Sequence, residues 1–110
     1  MGIRNLTNEY TDTLDGIIVA LCKDFSRREI AVSANECSKR TAMEYEYINF
    51  RILLAACEVA GESQARKYID EIGGRIGYAY SDVDEVCEST YKMTKKEVKI
   101  NIARKLHMID

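Results

Sequence analysis

The side chains that most often carry out chemistry are few in this chain, and their spacing argues against catalysis. The one histidine, His107, is far from any close cysteine pair and has no nucleophile placed beside it by a motif. That removes the usual histidine-activated nucleophile and a zinc site alike. Cys22, Cys37, Cys57 and Cys87 are separated by 15, 20 and 30 residues, with no Cys-x-x-Cys pair. Cys22 and Cys57 fall on apolar stripes, where a thiol is generally inert. Glu44 and Glu46 are two apart, so on a helix they face different directions and form no carboxylate pair. No glycine-rich phosphate loop occurs. The expectation is a protein that is not an enzyme and holds neither metal nor cofactor.

Phosphate contact is the chemistry left open. Residues 91–110 carry Lys92, Lys95, Lys96, Lys99, Arg104 and Lys105 against Glu97 and Asp110, a local +4; the other ninety residues hold ten bases and sixteen acids, or −6. The net charge of −2 therefore conceals a basic C-terminal part. Such a helix end can bind phosphates, but its cations also stabilise the helix dipole, and lysine-rich faces are commonly only solvated. Arg75, with Arg66 and Lys67, adds further cations. The pairs Arg27-Arg28 and Lys39-Arg40 flank helix ends and are read as solvated. Tyr45, Tyr47, Tyr78, Tyr80 and Tyr91 have rings that can stack on bases, although packing is the commoner fate of a helical tyrosine.

The elements that must position these residues are helical. In 110 residues, 46% apolar and 31% charged, there is no proline to stop a helix. One all-α domain over 1–110 is expected, a compact bundle of about four helices. Leu14, Ile17, Ile18, Leu21, Cys22 and Phe25 recur at helical spacing and predict a helix over about 8–32, with Thr7, Asn8 or Thr11 as N-cap. From 41 to 60, Met43, Tyr47, Phe50, Leu54 and Cys57 form one stripe, and Ile48, Ile52, Ala55 and Val59 another. Two apolar faces mark a central helix or one shared with a second copy, so a homodimer is expected. Gly61 should end it. A third helix over 63–76 contains Gly73 and Gly74, each unfavourable by up to about 1 kcal/mol. A long last helix over about 82–107 is predicted, opened by Ser81 as N-cap and by acidic residues.

The stretch Ile69 to Glu88 resembles a DNA-binding helix-turn-helix. The apolar places of that twenty-residue skeleton hold Ile72, Ile76, Tyr78, Val83 and Val86. The small residue where its helices touch is Gly73, and the chain-reversing glycine is Gly77. The resemblance implies a second helix that enters the major groove with its first turns toward the bases. Its exposed positions here are Ala79, Tyr80, Ser81, Asp84 and Glu85, an acidic set that phosphates repel. Helices followed by a helix-turn-helix and a basic last helix also look similar to small phage-encoded, sigma-like transcription regulators.

These readings converge on a DNA-binding transcription regulator that takes double-stranded DNA. Arg75, Lys92, Lys95, Lys96 and Lys99 are the candidate phosphate contacts, with Tyr80 and Ser81 nearest the bases. The alternative is a protein-interaction module or adaptor in which a degenerate helix-turn-helix turns its acidic face to a basic protein partner. No apolar run reaches the 18 residues of a membrane span. With no basic stretch leading into an apolar run at the amino terminus, a cytoplasmic protein with free thiols is expected.

Overall fold

The computed structural model describes residues 9–83 and 86–110. Among them are five α-helices: α1 Asp12–Lys23, α2 Phe25–Ser33, α3 Lys39–Ala60, α4 Glu62–Gly73 and α5 Glu88–Lys105, with a short 3₁₀ turn at Tyr78–Tyr80. The described residues form an all-α bundle. The long α3 packs against α2, α4 and α5, and α1 lies across α4 and α5.

The segment expected as one helix over 8–32 is broken at Asp24 (φ −92°, ψ 5°). Just beyond the break, the Arg28 guanidinium donates to the Leu21 carbonyl. An unbroken helix would offer that carbonyl to the Phe25 N–H. Arg28 Nε also donates to Asn49 Oδ1 at 2.7 Å, and Asn49 Nδ2 donates to the Phe25 carbonyl at 3.0 Å. Arg28, expected to be solvated, is therefore buried and ties α2 to α3; its neighbour Arg27 does lie outside, paired with Asp24. Thr11 is the N-cap of α1, accepting from the Leu14 N–H. Thr7 and Asn8 lie outside the described residues.

Ser38 accepts from the Thr41 N–H and starts α3 two residues earlier than its apolar pattern implied. Gly61 ends it at φ 83°, a backbone that favours glycine. The inner stripe of α3 supplies Ile52, Ala55 and Ala56 to the core, which they share with Ile18, Cys22, Phe25, Tyr68, Ile69, Ile72, Val98 and Ile102. Only the first half of its outer stripe is uncovered: Met43, Tyr47 and Phe50 are 67%, 47% and 63% exposed, while Leu54 is half-buried and Cys57 packs against the core.

Gly73 is needed for close approach, but its neighbour differs from the expected one. A Cβ there would sit 2.6 Å from the Lys23 nitrogen and 2.8 Å from the Cys22 carbonyl carbon, so the glycine lets α4 meet the end of α1 rather than a following helix. Gly77 reverses nothing by left-handed geometry; its φ is −89°. The left-handed residue is Arg75 (φ 53°), and the Ile76 N–H bonds back to the Glu71 carbonyl at 2.9 Å. This closure stops α4 at Gly73 instead of 76. Asn35 and His107 close α2 and α5 in the same way.

The last helix begins at Glu88, not near Asp82. Residues 81–83 and 86–87 are not helical, so the described residues between α4 and α5 form a connection rather than a turn leading straight into a second helix. Asp84 and Glu85, which the resemblance put on the recognition helix, lie outside the described residues. Val83 and Val86 still turn toward the core.

Candidate nucleic-acid interface

One carboxylate clasps the connection at residues 81 and 82, where Lys67 Nζ also donates to the Asp82 carbonyl at 3.1 Å. Glu71, on α4, is 4% exposed. It accepts from Ser81 Oγ at 2.6 Å, from the Asp82 N–H at 2.7 Å and from Tyr91 Oη at 2.7 Å. Burial pushes its carboxyl up, but these donors, with Lys95 nearby, outweigh burial and hold it below its ordinary value. Ser81 is thus no N-cap of the last helix. Its hydroxyl also accepts from the Val83 N–H, so this half-buried side chain is occupied inside the protein rather than presented to bases. Cys87 takes the N-cap position of α5 instead.

Tyrosines pack around this clasp. Tyr91 is buried and stacks on Tyr68 with ring centres 5.7 Å apart, and Tyr78 tilts against its ring at 5.6 Å. The Tyr78 hydroxyl donates to the Val86 carbonyl at 2.8 Å. The turn that carries Tyr78 and Tyr80 is thereby fixed at both ends, and Tyr80 projects from it 85% exposed.

On α5, Lys92, Lys95, Lys96 and Lys99 fall at helical i, i+3, i+4 and i+7 spacing and so share one face. With Tyr10, Asp12, Asp15 and Tyr78 they line a hollow of about 450 Å³. A second hollow of about 550 Å³ adjoins it across Gly77 and Tyr78, lined by Arg75, Tyr80, Glu88 and Lys92. The five candidate phosphate contacts and Tyr80 thus come together on one surface, while Ser81 does not join them.

The cations differ in freedom. Lys99 Nζ pairs with Asp15 at 2.7 Å, and Lys95 Nζ donates to the Ile76 carbonyl and lies over the Tyr91 ring. Burial, and then Lys99, pull Lys95 below the usual lysine value. Lys92 pairs with Glu88 at 2.9 Å, both exposed. Among the described residues, Arg75 and Lys96 make no ion pair.

Glu71 was not singled out in the sequence. The available signal is its place three residues after Tyr68, where an acid falls at the edge of a buried stripe. Asn101 was also missed. It lies among apolar positions of α5 and donates to the Ala55 carbonyl at 3.0 Å and to Glu58 at 3.1 Å, pinning α5 to α3. All four cysteines are free. Among the described residues no group of side chains suits a metal ion, and no helix is long and apolar enough to cross a membrane.

No family model, curated protein or solved structure matches this chain.

Proposed function

We propose that this chain binds DNA through phosphate contacts from Arg75, Lys92, Lys95, Lys96 and Lys99, and acts as a small DNA-binding regulator. The observation that carries the reading is the convergence of these five cations on one surface. The sequence expectation of base reading by a helix from Asp82 has no support, because α5 starts only at Glu88. Affinity here rests on the backbone. Exchanging the exposed Lys92–Glu88 pair for phosphate costs little, since such pairs contribute about 0.3–0.5 kcal/mol. Titration of labelled DNA at about 50 and about 200 mM salt tests the proposal: several phosphate contacts make affinity fall steeply with salt. Undetectable binding at the lower salt would remove it.

The uncovered stripe of α3 favours a second copy as an additional partner. Met43, Tyr47 and Phe50 alternate at four and three residues, as the a and d positions of a two-stranded seam do. In that register Lys39 and Glu44, and Glu46 and Arg51, stand five apart on opposite flanks, the spacing that pairs charges between parallel chains. Two like copies therefore match in both apolar stripe and charge. The Arg51 guanidinium, which lies over the Tyr47 ring of its own chain, would pair with the carboxylate of Glu46 from the other copy. Light scattering should give a dimer that Phe50→Glu dissociates; a monomeric mass at every concentration removes this partner.

A further inference from the structure

Resting on the DNA-binding reading above, we infer that the strand bound at this surface is unpaired, with a base stacked on Tyr80 while its phosphates meet Arg75, Lys92 and Lys96. Three observations lead there.

Tyr80 is the most exposed large apolar side chain among the described residues, at 85%. It does not dangle from a loose segment, because the 3₁₀ turn beneath it is closed by the Tyr80 N–H to the Gly77 carbonyl at 3.1 Å and the Ser81 N–H to the Tyr78 carbonyl at 3.2 Å. A tyrosine ring offered to solvent from a fixed turn, between cations, is the element on which single-stranded nucleic acid stacks its bases. Inside a duplex each base face is covered by the next base pair, so the ring would find no face to meet.

The surface is also concave. The two adjoining hollows, about 450 and 550 Å³, are shallow and open to solvent, a relief along which a single strand can lie. A duplex rod would lie across their rims. Finally, residues 81–83, which would have opened the helix entering a major groove, are not helical and are clasped to Glu71 through Ser81 and Asp82. The helix expected to read the groove from Asp82 is thus missing at its start, whereas a cationic track with an exposed ring suits an unpaired strand.

Lys92 is common to both hollows, so a strand running from one to the other passes it. Arg75 flanks the ring on the Tyr80 side and Lys96 lies beyond Lys92 along α5. The charge is sufficient for weak binding that is strongly salt-dependent, not for a tight complex.

The test is fluorescence anisotropy with a labelled mixed-sequence single strand of about 12 nucleotides and the matching duplex, both at about 50 mM salt. The single strand should bind at least about tenfold more tightly. Tyr80→Ala should weaken single-strand binding about tenfold and leave duplex binding unchanged, and Tyr80→Phe should keep the wild-type affinity. Because Tyr80 makes no side-chain contact that the fold needs, unchanged circular dichroism should accompany the loss. A duplex bound as tightly as the single strand, or a Tyr80→Ala protein with unaltered single-strand affinity, overturns the inference and leaves the DNA-binding reading standing. A mononucleotide that displaces the strand at the strand's own concentration also overturns it, in favour of a nucleotide site. If neither DNA form binds, the DNA-binding reading falls with it.

Discussion

Tyr91 Oη donates to Glu71 Oε1 at 2.7 Å, and this bond joins α5 to α4 at the point where the connection between them is fastened. The same oxygen accepts from Ser81. The other carboxylate oxygen accepts from the Asp82 N–H. A buried carboxylate is normally costly; here three donors offset the loss of water, and the charged form is the one the structure favours.

Glu71→Gln should therefore cost about 1–3 kcal/mol at neutral pH, since all three donors lose a charged acceptor and the amide N–H₂, replacing one carboxylate oxygen, faces a donor in place of an acceptor. The folded value of Glu71 lies below its ordinary 4.5. Its contribution is thus complete above that value and is lost as pH falls through the lower folded one. Urea unfolding at pH 7 and at about pH 3 should show the gap between wild type and variant shrinking in acid. A gap of equal size at both pH values would mean that ionised Glu71 is not what holds the connection.

Gly73→Ala should destabilise the protein by about 2–3 kcal/mol, because the added carbon meets the backbone of Cys22 and Lys23, which cannot rotate away. Gly16 in α1 has nothing within 4 Å of the same added carbon. Gly16→Ala should raise stability by about 0.5–1 kcal/mol. Thermal unfolding of both variants checks the contrast, and two changes of the same sign would contradict it.

Arg75→Gly separates binding from folding. The residue stands at φ 53°, so glycine relieves a left-handed side chain while loosening the unfolded state. Stability should be unchanged or higher by up to about 1 kcal/mol. DNA affinity should fall, and the slope of log affinity against log salt should drop by about 1. Retained affinity with an unaltered slope would remove Arg75 from the phosphate contacts.

Cys87 should be the fastest thiol to alkylate. Its sulfur lies 3.4 Å from Ser89 Oγ and 3.2 Å from Thr90 Oγ1, and these hydroxyls, with backbone N–H groups of the first turn, hold the thiol down at about 7. Burial pushes Cys22 up to about 12. Iodoacetamide labelling followed by mass spectrometry should reach half its maximal rate at Cys87 near pH 7 and leave Cys22 unmodified in the folded protein. Labelling of both at one rate would contradict this arrangement.

The helices were legible because their causes are local. The stripe with Ile18, Cys22 and Phe25 predicts the buried side of α1 and the start of α2, and Gly61 predicts the end of α3. The connection was not legible, since Ser81, Asp82 and Val83 read equally well as an N-cap and first turn. What decides otherwise is a bond from residues 81 and 82 to Glu71, ten and eleven positions back. Arg28 is the same kind of case: its burial depends on Asn49, twenty-one residues away. Of the candidate interface, the lysines on α5 follow from spacing, whereas their meeting with Tyr80 follows from the clasp.

Asn101 and Lys105 fasten α5 to the last turns of α3, through the Ala55 carbonyl and Glu58. The seam proposed for a second copy and the lysine face thus belong to one stiff frame. In a pair of chains joined along α3, the gap between two lysine faces would be a fixed ruler length. A nucleic acid long enough to span it would gain avidity from both chains, and a shorter one would gain none.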